Sequence, residues 1–196
     1  MTTLPQKWAV WEHRQRHPDD KVWMDQFYKL APLCTAEDYW AYATHYPKPS
    51  TLFRGPVEGL LPPAIKRGFR TSRVLGIILM KDPVTPETKA RKEDGTKWTG
   101  DRYIMNVECA FQEVSLWDTV MEILMLACIG GTVSSDVING VWVANRTKVD
   151  SAKICLRVEV WFDTAASADQ VERSVGVLEE AVNSHTDVRL ALVKKE

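Results

Sequence analysis

The segments VWVANRTK at 141–148 and ICLRVEVWF at 154–162 alternate with a period of two residues, the pattern of β-strands that bury one face. If they pair as a hairpin across a tight turn near Asp150 and Ser151, the numbers of opposed residues sum to an odd number. One face then carries only aliphatic side chains, namely Val141, Val143, Val149, Ile154, Leu156, Val158 and Val160. We therefore expect this face to lie on the protein core.

The opposite face of this hairpin is unusual for a surface exposed to solvent. It places two tryptophans among four cations, and its members are Trp142, Arg146, Lys148, Lys153, Arg157, Glu159 and Trp161. Two interpretations stay open on the residues alone. A tryptophan on a polar sheet face often packs against arginine for stability only. Alternatively, the face binds a flat anionic ligand such as a nucleotide, since bases stack on aromatic rings while arginine and lysine hold phosphate.

The rest of the chain predicts an α+β fold. Capping boxes at 35–38 and 167–170 mark the starts of two helices, the first ending near His45, and a third helix is predicted over 111–129. Strand-like alternation also occurs near 6–13, 74–80, 102–107 and 187–193. We expect about three helices packed on one face of a mostly antiparallel sheet. The 196 residues then form a single domain, with a proline-rich loop insertion at about 47–73 that ends in Lys66, Arg67, Arg70 and Arg73.

Composition and motifs restrict the class of function. Lys plus Arg is 25 against 26 for Asp plus Glu, so an anionic partner must be met by a local patch of charge. The four cysteines are widely separated, which argues against a zinc site and a disulfide framework and favours a reducing compartment. No nucleotide-loop, hydrolase or metalloprotease motif occurs. We therefore expect a protein that is not an enzyme, binds no metal or cofactor, does not enter the membrane and is cytoplasmic or also nuclear.

Taken together, these residues make the chain resemble the eukaryotic translation initiation factor 4E family, the mRNA cap-binding proteins, from about Leu4 to Val193. The resemblance is carried by KWAVW (7–11), DKVW (20–23), EDYWAYATHY (37–46), GDRYIMNV (100–107), NGVWVANR (139–146) and VEVW (158–161). It implies a curved antiparallel sheet with three helices on the convex face and the 7-methylguanosine cap on the concave face. It also implies a role in translation initiation or its regulation. The alternative is an interaction or repressor module on the same scaffold with weak or lost cap binding.

The resemblance assigns roles to individual residues. Trp23 matches the first of two tryptophans that sandwich the methylated guanine, and Trp161 matches a tryptophan that touches the methyl group. Arg146 matches the main phosphate-binding arginine. Further cations for the phosphates are Lys148, Lys153 and Arg157.

The second stacking tryptophan depends on the alignment. If Trp98 lies in the strand, no tryptophan remains for the sandwich, and 99–102 would have to be strand, which glycine and aspartate disfavour. We prefer the register in which 100–107 is the strand, with Tyr103 in the strand position and Trp98 in the preceding loop as the second stacking ring. Thr99 replaces the family's neighbouring glutamate, so the acid that reads the guanine edge must come from elsewhere. Asp101 is our choice, and the alternatives are Glu87, Glu93 and Asp94.

The family also implies a protein partner. A short helical peptide, from an initiation factor 4G-like scaffold or a 4E-binding protein, would dock on the convex helical face. The matching positions are Leu4, Glu37, Trp40 and Trp117, although Trp40 also fits a core position of an amphipathic helix. The cations at 66–73 could contact nucleotides beyond the first phosphate bridge, or lie in a solvated loop.

Overall fold

The computed structural model describes residues 2–53, 64–67, 70–87, 92–97, 99–109, 113, 115–147 and 153–195. Its strands are β1 (Thr3–Arg14), β2 (Phe27–Thr35), β3 (Ala64–Arg67), β4 (Arg70–Lys81), β5 (Thr99–Cys109), β6 (Ile138–Asn145), β7 (Ile154–Asp163) and β8 (Val193–Lys194). Its helices are α1 (Ala36–His45), α2 (Pro49–Phe53), α3 (Leu116–Ile129) and α4 (Ala168–His185), and a 3-10 turn covers Trp23–Gln26. None of the helices in these ranges is both long and apolar enough to cross a membrane.

The strands form one sheet in the order β2-β1-β4-β6-β7-β5-β8, and β3 extends it as a hairpin with β4. Every neighbouring pair is antiparallel. The predicted hairpin register is confirmed, because Val141 opposes Val160 and Val143 opposes Val158. Residues 148–152, where the turn was predicted and which include Val149, lie outside the described residues.

Both predicted capping boxes are confirmed and explain where their helices begin. At α1, the Thr35 hydroxyl accepts a hydrogen bond from the backbone N–H of Asp38, whose carboxylate accepts from the Thr35 N–H. Ser167 and Gln170 repeat this arrangement at α4. These bonds satisfy backbone donors that the first turn of a helix leaves free. The third helix starts at Leu116 rather than 111, without a side-chain cap.

The core lies between the helices and one face of the sheet. The aliphatic face of the β6–β7 hairpin packs there with Trp8, Val10, Ile77 and Leu79, against buried side chains from all four helices. The fold class predicted from the sequence is therefore confirmed. No described helix packs on the other face of the sheet, which we call the open face.

Three parts of the fold differ from the sequence-based expectation. Strand β2 was not predicted, and β8 (two residues) overlaps the predicted strand 187–193 only at Val193. The 47–73 segment is not simply a loop, because Leu52 and Phe53 of α2 are buried and 64–67 pairs with 70–73 as a hairpin. Residues 54–63 and 68–69 lie outside the described ranges.

Candidate functional site

The open face carries a continuous row of aromatic rings. Strand pairing puts His13 opposite both Phe27 and Gly76, while Trp142 lies opposite Ile78 and Glu159. Successive ring centroids are 4.3 Å apart for Trp23–Phe27, 4.8 Å for Phe27–His13, 5.2 Å for His13–Trp142 and 6.3 Å for Trp142–Trp161. These separations are typical of stacked and edge-to-face pairs. We call Trp23, Phe27, His13, Trp142 and Trp161 the aromatic row.

A glycine makes room for the middle of the aromatic row. A Cβ atom on Gly76 would lie 2.4 Å from the indole nitrogen of Trp142, too close for any side chain. Among the described residues, that indole nitrogen has no hydrogen-bond partner although it is buried, and the same holds for Nδ1 of His13 and Nε1 of the neighbouring Trp11. Packing rather than hydrogen bonding therefore fixes the two indole rings, at the free-energy cost of burying polar atoms unpaired.

Trp23 is the accessible end of the aromatic row. The 3-10 turn that carries it is held by the Asp25 carboxylate, which accepts hydrogen bonds from the N–H groups of Lys21 and Val22. Trp23 is 43% exposed, although its ring packs on Phe27. Part of the indole surface is thus free to meet a ligand.

Two arginines lie beside the buried part of the aromatic row, on the side of Trp142. The Arg146 guanidinium lies 5.3 Å from the centre of the Trp142 ring, and Arg157 donates from Nε to Oδ1 of Asn106 at 2.8 Å. Burial, and then the like charge of Arg157, lower the pKa of Arg146, whereas Glu159 raises it. Two neighbouring guanidiniums that repel each other, with Arg146 exposed and Arg157 half-buried, favour binding of an anion.

Glu159 is buried among these groups, and its Oε1 accepts from Nε1 of Trp161 at 2.8 Å and from Nη1 of Arg102 at 3.1 Å. The carboxylate therefore orients the Trp161 ring and neutralises Arg102. Arg102 was not predicted as part of this face. Its position opposite Trp161 across β5 and β7 follows from a long-range strand register.

The structure brings Trp23, Trp161, Arg146 and Arg157 of the predicted cap site onto the open face. Trp161 is only 1% exposed, so it forms part of the floor. Lys153 precedes β7 and is exposed, with its Nζ 3.9 Å from Glu108. Trp98 and Lys148 lie outside the described residues.

Strand β5 begins one residue before the predicted strand 100–107 and includes a glycine and an aspartate, two residue types that disfavour strands. The strand begins at Thr99, and a register shift between Thr99 and Arg102 places a bulge at 100–101. Gly100 suits this bulge, because a Cβ there would lie 3.0 Å from the backbone of Thr164. The Asp101 carboxylate accepts a hydrogen bond from Lys194 at 2.6 Å at the edge of the sheet.

A buried charge cluster closes one end of the sheet next to this bulge. The Asp163 carboxylate accepts from Lys92 Nζ at 2.9 Å and from the Ala165 N–H, and it lies 3.7 Å from Lys81 Nζ. Burial raises the pKa of Asp163, but the hydrogen bonds from Ala165 and Lys92 and the charges of both lysines outweigh it, and the pKa falls below its ordinary value. The cluster thereby ties the 92–97 turn to the end of β7.

The helical face confirms the surface position of Trp40 but not that of Trp117. Trp40 is 53% exposed, whereas Trp117 is 1% exposed and packs in the core. The reason is the phase of α3, which directs Trp117, Val120 and Leu124 to the sheet and leaves Leu126 outside. The Trp117 ring thus lies in the core rather than on the surface, and its role as a partner contact stays a prediction. Leu4 packs against the core, and Glu37 accepts hydrogen bonds from the Thr2 N–H.

His13 gives the open face a predicted pH dependence. Burial, and then the charge of Arg146, lower the pKa of His13 to about 4, although a hydrogen bond with Gln26 raises it. Between about pH 6.5 and 4 the unfolded chain binds a proton at this residue that the folded chain does not. Protonation thus favours the unfolded chain, and stability is lost as pH falls through this window, by up to about 3 kcal/mol.

His13→Phe keeps a ring stacked on Phe27 but removes the titrating group. We expect its free energy of unfolding, measured by urea denaturation from pH 7.5 to 4.5, to fall less steeply than that of the wild type. Parallel profiles for the two proteins would contradict this assignment.

The aromatic row and the adjoining guanidiniums define a face suited to a flat anionic ligand, on an antiparallel sheet backed by helices. The family model described as Eukaryotic initiation factor 4E matches residues 3–191. The chain therefore belongs to the eukaryotic initiation factor 4E family. No curated protein matches the sequence.

Solved structures of this family share the fold. C. elegans eIF4E-3 in complex with the 4E-binding protein Mextli is 21% identical, with a TM-score of 0.69 over 99% of this chain and 92% of that one. Ascaris suum eIF4E-3 with m7G cap is 19% identical, with a TM-score of 0.68 and coverage of 98% and 97%. Schistosome eIF4E complexed with m7GpppG and 4E-BP is 20% identical, with a TM-score of 0.65 and coverage of 99% and 87%.

Proposed function

We propose that this chain binds the 7-methylguanosine cap of mRNA on its open face and acts in translation initiation or its regulation. The observation that carries the proposal is the aromatic row, which has an exposed Trp23 at one end and Arg146 over Trp142 further along it, with Arg157 close to Arg146. Family membership supports it, as do the relatives solved with m7G cap and with m7GpppG. We place this activity in the cytoplasm, with a nuclear presence also compatible with it, and it involves binding without catalysis.

The chemistry of the ligand fits this arrangement. A guanine methylated at N7 carries positive charge on its ring, so an indole face attracts it by cation–π interaction as well as by stacking. The phosphates would meet Arg146 and Arg157, with Lys153 and Lys148 as further cations. We propose Trp98, which is followed directly by the first residue of β5, as the second stacking ring.

The guanine edge requires a carboxylate, and Asp101 remains our proposal for it. A carboxylate accepts from the guanine N1–H and amino group together, which distinguishes guanine from other bases. Asp101 lies in the bulge that begins β5, and its carboxylate is partly exposed beside Lys194. The buried Glu159 is already hydrogen-bonded to Trp161 and Arg102.

Retention on immobilised 7-methyl-GTP tests the proposed function. We expect free 7-methyl-GTP, but not GTP, to release the bound protein and to quench its tryptophan fluorescence. Trp23→Ala should weaken binding by about 1–3 kcal/mol, or roughly 5- to 150-fold, because it removes one stacking face. Val22→Ala, a change at the exposed neighbouring residue, is the matched control and should bind normally. Failure of the wild type to bind would favour the interaction-module alternative.

We also propose that the helical face binds a helical peptide from an initiation factor 4G-like scaffold or a 4E-binding protein. The supporting observation is that Trp40 of α1 and Leu126 of α3 are exposed large apolar side chains on that side of the molecule. Apolar residues at helical spacing in a peptide would cover such side chains. Two of the related structures contain a 4E-binding protein, which supports the choice of partner.

A further inference from the structure

Trp142 lies next to Arg146, where its buried ring can hold the guanidinium in place without contacting the ligand. It is buried in the middle of the aromatic row, between His13 and Trp161. The indole packs directly on the backbone of Gly76, in the space that a side chain there would fill, because a Cβ at Gly76 would lie 2.4 Å from the ring nitrogen. The ring is therefore a rigid platform on the open face.

Arg146 is held differently from the other arginines of this face. Arg102 is paired with Glu159, and Arg157 donates to Asn106. For Arg146, the structure gives no ion pair or side-chain hydrogen bond within the described residues, and its defined contact is the Trp142 ring at 5.3 Å. A guanidinium over an aromatic face keeps its N–H donors available in its own plane.

We propose that Trp142 is a positioning residue that holds Arg146 ready to bind the phosphates of the ligand. An acid in the same place would also hold the arginine, but it would neutralise the charge that the phosphates need and occupy its donors. The ring holds the guanidinium while leaving its charge and its N–H donors available, because cation–π attraction uses the face of the cation rather than its N–H groups. This inference rests on the proposed cap-binding function. It predicts that Trp142 contributes to the part of the affinity that comes from the phosphates and not to the part that comes from the base.

The dependence of affinity on phosphate separates this role from a merely structural one. The experiment compares the affinities for 7-methyl-GTP and for 7-methylguanosine, which lacks phosphate, in four proteins: wild type, Trp142→Met, Arg146→Gln and the double variant. We expect Trp142→Met to reduce the preference for 7-methyl-GTP about 3- to 10-fold, the range of a partly desolvated cation–π contact, with nucleoside affinity little changed. The double variant should be no worse than Arg146→Gln alone.

Trp142→Phe, which disturbs packing less, keeps the inference testable if the methionine variant does not fold. Its smaller ring should reduce the preference for 7-methyl-GTP about twofold or more, again with nucleoside affinity retained. Equal losses for both ligands, or additive losses in the double variant, would overturn the role of Trp142 while leaving cap binding intact. A wild type that binds neither ligand would overturn the proposed function, and this inference with it.

Discussion

Replacing Asp163 with asparagine is expected to lower the free energy of unfolding by about 3 kcal/mol, because it removes the ion-pair partner of the buried Lys81. Asparagine matches aspartate in size and still accepts a hydrogen bond from the Ala165 N–H, so the change isolates the charge. Lys81 retains its hydrogen bond to the Ser135 carbonyl, but that bond does not neutralise it. Urea denaturation near pH 7 measures the loss.

Asp101→Asn is the matched control for this prediction. The Asp101–Lys194 pair is shorter, at 2.6 Å, than either lysine contact of Asp163, but both of its side chains are largely exposed. Solvent and salt screen an exposed pair, so its loss should leave stability almost unchanged. Similar losses in the two variants would show that burial does not decide the strength of these ion pairs.

The charge cluster is an example of contacts that cannot be predicted from local sequence patterns. Lys81, Lys92 and Asp163 come from three separate regions and meet only after β4 and β7 have joined the sheet. The ring contact between His13 and Trp142 likewise requires β1, β4 and β6 to pair in one register. Local periodicity contains no information on such pairings. Trp142, Arg146, Arg157 and Trp161 could be predicted because a single hairpin brings them together.

The fold follows the same division between local and long-range signals. The capping boxes and the β6–β7 register depend on residues close in sequence, and they were predicted correctly. Strand β2 was not predicted, since Ala31 and Pro32 interrupt its alternation of apolar and polar residues. It forms a strand because it pairs with β1, which is distant in the sequence. Strand β5 was predicted over 100–107 although glycine and aspartate disfavour strands, and the bulge at its start accommodates these two residues.

The two tryptophans proposed for the partner surface differ in burial. Replacing the buried Trp117 should affect mainly stability, and replacing the exposed Trp40 should affect mainly peptide binding. Trp117→Ala is expected to lower the free energy of unfolding by about 3–5 kcal/mol, because it leaves a large cavity between α3 and the sheet. Trp40→Ala removes an exposed ring and should change stability by less than about 1 kcal/mol. Urea denaturation of the two variants measures this difference.

Binding of a helical peptide from a 4G-like scaffold completes the comparison. Trp40→Ala should weaken it by at least about 2 kcal/mol, or roughly 30-fold, if this ring is an anchor of the interface. Trp117→Ala, measured at a temperature where it remains folded, should bind the peptide nearly as well as the wild type, because its ring does not reach the surface. A folded Trp117→Ala protein that loses peptide binding while Trp40→Ala retains it would reverse the assignment of these two residues.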